Sequence, residues 1–566
     1  MKKQIPKFLL FIILFLAYKL RLYGLSWDQG YHLHPDERML IMVAEKINFF
    51  KNLNPDFFNY GSLPLYLLKG TAQLVDFLFN KNLANYDGML KVGRNLSIFF
   101  DLVTIVFIHK ISKLLFNNEK IALLSSLFYT IAFFAIQNTH FFVVDVPLNT
   151  FITILCYTLL KYTKRSSFII VFGIGIVFAA MMSTKFTSII FYPLILLLFA
   201  YKNWGNWKNL LICILTFHLS FIIFHYLTMP YAFIEQVRFL RDIKEQLKMN
   251  SNPYIFPYTL QYVGTIPYIY YLKNIFLWGL GPFISILSII GLFNLFQFSI
   301  FNFQFSLKSK FINYKYLIIC LFFYLYYFIV IGQSAVKFMR YMLPLYPFLT
   351  ILAGYGLFSL CHPERRNEMT ETKDLAKRKF ISKLFSFSRF LAILGITGGV
   401  LWTYMFVNIY SVEHTRITAS DWISKNIKEG ATIATEHWDD GMPLYGGEKY
   451  KHEELTLYDQ PDDVNKWLVM NEKLKNSDYI IIASNRLYTP LRKLSDCQKY
   501  RSCFPKTADY YKKLFSNQLP FRKVVELSSY PQLTIGNYQL SIPDDSADES
   551  FTVYDHPKIL IYKKIN

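Results

Sequence analysis

Runs of apolar residues long enough to cross a lipid bilayer recur through the first 408 residues of the chain. A membrane-crossing helix needs roughly 20 mostly apolar residues, and 53% of this chain is hydrophobic, with 55 Phe and 41 Tyr. The sequence therefore predicts a mainly α-helical, multi-pass membrane protein with about 11 spans. The runs lie near residues 6–22, 94–114, 119–138, 146–162, 167–183, 186–201, 208–228, 274–297, 315–332, 338–360 and 389–408.

Basic residues cluster between these runs and orient the chain. The formal net charge is +21, and the largest basic segment extends from Arg365 to Arg389. Because basic loops face the cytoplasm, the clusters place the N-terminus inside. The apolar stretch Phe8–Tyr18 is followed by Lys19 and Arg21 rather than by a cleavage site, which predicts an uncleaved helix. No basic stripe belongs to a recognisable nucleic-acid-binding module, so nucleic acid is not an expected partner.

Residues 64–80 are nearly apolar enough to count as a further span. Counting them would place the largest basic segment outside, against the positive-inside rule. Lys69, Gln73 and Asp76 share one helical face, so we interpret 64–80 as an amphipathic helix lying in the outer interface. The first outer loop then extends over residues 23–93.

Residues 409–566 are polar enough to form a separate soluble domain after the membrane domain of residues 1–408. By the same span count this domain is extracytoplasmic. Cys497 and Cys503 share a short polar segment and are candidates for a disulfide if that segment lies outside the cytoplasm. Short apolar strands alternating with helical stretches predict a small α/β sheet, at ATIAT, YIIIAS, KVVEL and KILIYK.

Three carboxylates in the outer loops are candidate catalytic groups. Asp36 and Glu37 follow Pro35 in the first outer loop, and Asp145 lies in the second. A carboxylate in a partly dry cleft can remove a proton from an attacking hydroxyl or amine. The alternative is a solvated pair, or acidic residues that stabilise a helix N-terminus after Pro35.

Two histidines near Asp36 raise the question of a metal site. His32, His34 and Asp36 alternate, so an extended strand would point all three to one face. They do not complete the ligand spacing of a known metal class, which favours hydrogen bonding or substrate contact instead. No cofactor is predicted, and a divalent cation remains the alternative.

Four cations fall at the outer ends of spans under this topology: Arg94, Lys185, Lys337 and Arg340. Such side chains often only reach toward lipid headgroups. The alternative is a clamp that stabilises a phosphate leaving group. Arg340, just before two prolines in RYMLPLYP, is the more specific candidate.

In order and membrane side, these motifs resemble the GT-C-fold membrane glycosyltransferases of the protein O-mannosyltransferase-like group, which includes the aminoarabinose transferases of lipid A. TKF around Lys185 also matches. The other matching motifs are HPDE (His34–Glu37), HFFVVDVPL (His140–Leu148), KFMRYMLPLYP (Lys337–Pro347), YSVEHTRITASDWI (Tyr410–Ile423) and DESFTVYDHPKILIY (Asp548–Tyr562).

The resemblance implies a polyprenyl-phosphate-linked sugar as donor, inverting transfer, and a location in the plasma (inner) membrane of a bacterium. It implies that Asp36 is the base, with Glu37 beside it, and that Asp145 orients the acceptor or the base. Within these motifs His34, His140 and Tyr341 are expected to contact substrate. The acceptor, whether protein, lipid or polysaccharide, stays open.

Two other functions compete with this interpretation. A transporter or flippase of a lipid-linked glycan would more often carry ionisable groups near the membrane midplane and show related halves. A structural or sensing protein with a glycan-binding outer domain would not need Asp36, Glu37 and Asp145 together.

Overall fold

A computed structural model describes residues 4–301, 312–361 and 375–565. Residues 365–374 of the predicted cytoplasmic segment Arg365–Arg389 lie outside the described residues. The protein is mainly α-helical up to residue 407, and a small α/β unit follows.

Helices account for nearly all of the N-terminal part. The first of them are α1 (Ile5–Leu22), α2 (Pro35–Glu45), α3 (Ser62–Phe79), α4 (Tyr86–Phe116), α5 (Glu119–Thr130), α6 (Phe133–Thr139), α7 (Asp145–Lys164), α8 (Phe168–Met182) and α9 (Phe191–Lys202). They are followed by α10 (Trp207–Thr228), α11 (Tyr231–Ile234), α12 (Gln236–Ser251), α13 (Ile269–Asn274), α14 (Gly281–Phe301), α15 (Tyr314–Gly332), α16 (Tyr346–Cys361) and α17 (Leu375–Val407).

Every predicted apolar run falls in helical structure, but some runs are broken. Four helical segments are by themselves long and apolar enough to cross a membrane, and two bent pairs bring the number to as many as six among the described residues. The bends measure 57° between α5 and α6, and 120° just before α14. The fold class is thus confirmed, whereas the count of 11 spans stays a prediction.

The helices pack closely where glycine removes the side chain. A Cβ on Gly291 of α14 would lie 2.0 Å from the Leu352 carbonyl oxygen of α16, and one on Gly356 of α16 would lie 2.2 Å from the Leu287 oxygen of α14. Both distances are far inside van der Waals contact, so only glycine permits this approach, as at small-residue interfaces between membrane helices. The close packing fixes the start of α16, just after the segment that carries Arg340.

The C-terminal unit is a five-stranded mixed sheet covered by helices. Its strand order is β2-β1-β3-β7-β4, with β1 parallel to β2 and β3, and β7 antiparallel to β3 and β4. A separate hairpin joins β5 to β6. The strands are β1 (Thr432–Glu436), β2 (Lys451–Leu455), β3 (Tyr479–Ile482), β4 (Phe521–Leu527), β5 (Gln532–Ile535), β6 (Tyr538–Ser541) and β7 (Ile559–Lys564), and the helices are α18 (Thr415–Asn426), α19 (Val464–Asn476), α20 (Asn485–Lys493), α21 (Pro505–Phe515) and α22 (Glu549–Thr552).

A buried polar cluster joins this unit to the helical part. Asp555 accepts hydrogen bonds from Tyr410 at 2.7 Å and from Gln137 of α6 at 3.0 Å. His556 lies between Asp555 and Asp544, at 2.6 and 2.9 Å. Despite burial, these two carboxylates raise the pKa of His556 to about 10. The cluster holds the C-terminal unit against α6 and the end of α17.

Candidate active site

A cavity of about 510 Å³ lies between the helical part and the C-terminal unit. Pockets of about 300–1,000 Å³ are typical of small-molecule sites. Its wall combines side chains from the start of α2, from residues 246–258, from residues 338–341 and from the C-terminal unit. Asp36, Arg340 and Tyr341 all line it.

Helix α2 places Asp36 at the edge of this cavity. His34 is the N-cap residue, with its Nδ1 accepting a hydrogen bond from the Glu37 amide at 3.4 Å, and Pro35 occupies the first helical position. The segment is thus not the extended strand that would point His32, His34 and Asp36 to one face, because the helix begins at Pro35. Asp36 lies in the first turn, where the helix dipole favours a negative charge.

The His34 side chain packs against buried aromatic rings and does not line the cavity. Its ring packs between Phe141, at 4.5 Å, and Tyr554, at 4.0 Å between centroids. Burial, with the nearby Arg340, lowers the pKa of His34 well below its usual range. The His34 imidazole is therefore neutral, and it packs against Tyr554, which lines the cavity. The predicted contact of His34 with substrate stays a prediction.

Four of the predicted residues form one chain of alternating charge. Arg340 Nη2 lies 2.6 Å from Asp36 Oδ2, and Arg340 Nε lies 3.4 Å from Asp145 Oδ2. Lys185 Nζ donates a hydrogen bond to Asp145 Oδ1 at 2.8 Å. The sequence separates these residues by up to 304 positions, and the fold brings all four together.

Arg340 Nε lies 3.4 Å from Asp145 Oδ2 but forms no hydrogen bond with it. Its guanidinium packs 4.8 Å from the Phe338 ring centroid, and its Nε is buried without a hydrogen-bond partner among the described residues. A buried N–H without a partner costs free energy unless a ligand satisfies it. Arg340 is thus suited to an additional anionic ligand.

A smaller pocket of about 60 Å³ adjoins the cavity and contains Lys185. It shares Tyr60 and Tyr341 with the main cavity. The Lys185 ammonium lies 4.3 Å from the Tyr341 ring centroid. The remaining wall is mainly apolar and includes Phe58, Met182, Phe186, Met229, Phe239, Ile243 and Leu247.

Glu37 and Arg94 lie away from the cavity, in a buried cluster of their own. Arg94 makes paired hydrogen bonds with Glu37, at 3.0 and 2.8 Å, and with Asp28, at 2.9 and 2.8 Å. It also donates to the Leu25 carbonyl at 2.7 Å, so its N–H groups are occupied. Burial raises the pKa of the Glu37 carboxyl despite Arg94. Glu37 and Arg94 bind each other in this cluster. The Glu37 side chain is therefore not directed into the cavity beside Asp36, and Arg94 does not join Arg340 and Lys185.

His140 and Lys337 also do not line the cavity. The ring nitrogens of His140 lie 2.9 Å from the Ile136 carbonyl oxygen and 2.8 Å from that of Tyr23. Lys337 is buried and donates to the Ala335 carbonyl at 3.1 Å. The polar atoms of both residues are directed at backbone oxygens in this geometry, and their contact with substrate or donor stays a prediction.

Two further predictions concern cysteine and metal ligands. Cys497 and Cys503 form a disulfide with a Cα–Cα distance of 5.1 Å, outside the cavity. In the part of the chain that the structure describes, no group of three or more His, Cys, Asp or Glu side chains is arranged to hold a metal ion.

Known proteins are similar to this chain in sequence profile and in fold. The profile of a family described as dolichyl-phosphate-mannose-protein mannosyltransferase matches residues 87–228. The apo oligosaccharyltransferase of Archaeoglobus fulgidus has a TM-score of 0.50 at 12% identity, covering 90% of this chain and 73% of that one. Archaeal AglB from the same organism, in complex with an inhibitory peptide and a dolichol-phosphate, has a TM-score of 0.50 at 13% identity, covering 100% and 89%.

ArnT from Cupriavidus metallidurans, bound to undecaprenyl phosphate, has a TM-score of 0.48 at 13% identity, covering 85% of this chain and 94% of that one. No curated protein matches the sequence. The chain has the GT-C fold of these solved proteins, and its residues 87–228 match the profile of a mannosyltransferase family. The profile match includes Asp145 and Lys185, whereas Asp36 and Arg340 lie outside it.

The C-terminal unit contributes cavity residues that the sequence analysis did not name individually as site residues. They are Arg416, His437, Trp438, Asp439, Asp440, Arg486 and Tyr554. Arg38, one residue after Glu37, joins them through an ion pair with Asp440 at 3.1 Å. The available signal was the cluster HWDD directly after the predicted strand ATIAT, since polar side chains at the carboxyl end of a parallel strand often belong to a site.

Proposed function

We propose that this protein is a glycosyltransferase that moves a sugar, with inversion, from a polyprenyl-phosphate carrier to an extracytoplasmic acceptor. In this proposal the protein lies in the plasma (inner) membrane, with its N-terminus in the cytoplasm and residues 409–566 outside. The single observation that carries the proposal is the partly buried charge chain Asp36–Arg340–Asp145–Lys185, which runs from the cavity wall to the smaller pocket. It supplies a candidate base and two candidate phosphate-binding cations in one place.

The donor phosphate would bind Arg340 and Lys185. Arg340 can offer a planar pair of N–H groups to phosphate oxygens, and its Nε makes no hydrogen bond with the described residues of the free protein. Lys185 lies in the smaller pocket beside the cavity, and most of that pocket's wall is apolar. AglB, which shares the fold, was solved with a dolichol-phosphate, which supports a lipid-linked donor here.

Donor binding would release Asp36 for catalysis. In the free protein Arg340 Nη2 lies 2.6 Å from Asp36 Oδ2, so the guanidinium occupies the carboxylate that would have to face the acceptor. A phosphate that takes over the Arg340 guanidinium leaves Asp36 free to face the acceptor. The base would thus become active only when the donor is in place.

The transfer step then balances in atoms and charge. The acceptor oxygen or nitrogen attacks the anomeric carbon from the face opposite the phosphate, and the bond from that carbon to the phosphate oxygen breaks. The acceptor proton passes to Asp36, and the electron pair of the broken bond remains on the phosphate, beside Arg340 and Lys185. Charge that develops on the leaving group is stabilised by cations that are already in position.

A transfer assay tests this proposal. Full-length protein in nanodiscs is incubated with polyprenyl-phosphate sugars carrying a labelled sugar, together with membrane extract as the acceptor source. Label should move from the carrier into a new glycosidic product in wild type and in Glu45→Gln, at the exposed far end of α2, but not in Asp36→Asn. Label that stays on its carrier in the wild type would contradict the transferase proposal, and carrier that crosses a sealed vesicle intact would favour a flippase.

A further inference from the structure

The topology of the C-terminal sheet creates an opening at one edge. The chain leaves β1, adds β2 on one side, and then crosses by α19 to place β3 on the other side of β1. The loops that follow the carboxyl ends of β1 and β3 therefore lead away in opposite directions. The space between such loops is where open α/β sheets bind ligands. These loops carry residues 437–440 and 483–486.

That opening faces the catalytic cavity. Trp438, Asp440 and Arg486 from the two loops line the same cavity as Asp36. The loop after β1 is tied to α2 by the Asp440–Arg38 ion pair at 3.1 Å, and Arg38 lies two residues after Asp36. A molecule bound at the sheet edge is thus held next to the candidate base.

Resting on the proposed function, we propose that this sheet edge is the acceptor subsite and that the acceptor group is an uncharged sugar ring. The first support is charge balance. Arg416 is paired with Asp439 and Asp440, and Arg486 with Glu549 at 2.8 Å. Because every cation of this wall has a carboxylate partner, it presents no net charge to attract an ionic acceptor, but offers many fixed hydrogen-bonding groups to hydroxyls.

The second support is a set of polar atoms without partners in the described part of the chain, on α18 and at the two strand ends. Two of the residues that carry them, Arg416 and His437, line the cavity. Arg416 Nε, Glu436 Oε1, His437 Nδ1 and Asn485 Oδ1 are buried without hydrogen-bond partners among the described residues. Arg416 is 1% exposed and lines the cavity. Buried polar groups are nearly always satisfied in folded proteins, so a cluster of unsatisfied ones indicates a ligand with several donors and acceptors.

The third support is an aromatic surface in the same wall. The Trp438 side chain is 39% exposed. Its backbone φ of 83° is a strained conformation for a bulky residue. His437 packs against it at 4.9 Å between ring centroids. The electron-rich face of an indole attracts the partly positive C–H face of a sugar ring.

The chemical linkage of the product tests this proposal. Wild-type protein transfers labelled sugar from the polyprenyl-phosphate donor to membrane extract, and the new bond is identified by mass spectrometry and linkage analysis. A sugar-to-sugar bond is expected. A bond to a serine or threonine side chain, to another peptide group or to a phosphate would overturn the acceptor class while leaving the transferase proposal intact, whereas no transfer at all would remove both.

Variants of Trp438 test the location. Trp438→Ala should raise the acceptor KM roughly tenfold or more, as for aromatic anchors at binding sites, with donor affinity unchanged. Trp438→Phe should restore part of the loss. Trp204→Ala is the matched control, because Trp204 is 89% exposed and lies outside the cavity. An acceptor KM in Trp438→Ala equal to that of the control would place the acceptor elsewhere.

Discussion

Asp36 and Arg340 lie 2.6 Å apart in the wall of the cavity, and the same guanidinium lies 3.4 Å from Asp145. The candidate base and the candidate phosphate ligand thus neutralise each other in the free protein. A carboxylate and a phosphate oxygen compete for the same planar donors. Donor binding and release of the base are therefore expected to be a single event.

Replacement of Arg340 tests its role toward the donor. We expect Arg340→Ala to weaken binding of the polyprenyl-phosphate sugar, and Arg340→Lys to recover only part of the affinity, because an ammonium cannot form the planar paired contact. Donor affinity is measured by equilibrium binding to protein in nanodiscs. Arg241→Ala, on the exposed surface of α12, is the control. An unchanged donor affinity in Arg340→Ala would leave Arg340 as a structural partner of Asp36.

Replacement of Arg94 should lower the stability of the folded protein rather than weaken donor binding. Arg94→Ala leaves Asp28 and Glu37 buried without a counter-ion, which typically costs about 3–5 kcal/mol. We expect a lower thermal unfolding temperature and little folded protein, with poor rescue by Arg94→Lys, since lysine cannot serve both carboxylates in paired geometry. A variant that folds as stably as wild type, but binds donor weakly, would return Arg94 to the donor site.

The contrast between Arg94 and Arg340 shows what the sequence could and could not predict. The predicted membrane side of each loop and span end was enough to predict that Asp36, Asp145, Lys185 and Arg340 lie at the same end of the helical part. It could not separate Arg94 from this group, because the rotation of α4 about its axis decides whether a side chain faces the cavity or the buried interior. That rotation depends on the packing of the whole bundle.

The same reasoning explains Glu37 and the C-terminal unit. Asp36 and Glu37 are adjacent, and a helix beginning at Pro35 turns them about 100° apart, so one faces the cavity while the other faces Arg94. The soluble α/β unit was predicted from alternating strands and helices. Which of its loops would meet Asp36 was not, because the docking of two units depends on contacts such as Gln137–Asp555 that no local pattern predicts.

Glu436 at the end of β1 predicts a pH dependence of stability. Burial raises the pKa of its carboxyl to about 8 from an ordinary 4.5. The unfolded chain therefore releases this proton more easily than the folded one, and stability falls between pH 4.5 and 8 by up to about 1.4 kcal/mol per pH unit. Glu436→Gln should be more stable than wild type above pH 8 and similar to it below pH 4.5.

The measurement is chemical unfolding followed across pH 4–9. Glu429→Gln is the control, since Glu429 is exposed and its side chain is 71% accessible. A stability difference between Glu436→Gln and wild type that does not change with pH would contradict the buried, protonated carboxyl.

Membrane orientation stays a prediction, and cysteine accessibility can test it. Single cysteines at exposed positions of the C-terminal unit, such as Lys425 and Lys513, should react with an impermeant reagent from outside the cell. A cysteine at Lys164, at the end of α7, should react only after the membrane is opened. Labelling of Lys425→Cys from the cytoplasmic side alone would overturn the proposed topology.

The most direct test combines donor binding and turnover in Asp36→Asn. This change keeps the shape of the side chain but removes the base and the charge that competes for Arg340. Turnover should fall by about 100- to 10,000-fold, the usual contribution of a general base, while the donor binds as tightly as in wild type or more tightly. Near-normal turnover in a folded Asp36→Asn, or a loss of donor affinity that accounts for the whole loss of rate, would contradict the exchange of Arg340 from Asp36 to the donor phosphate.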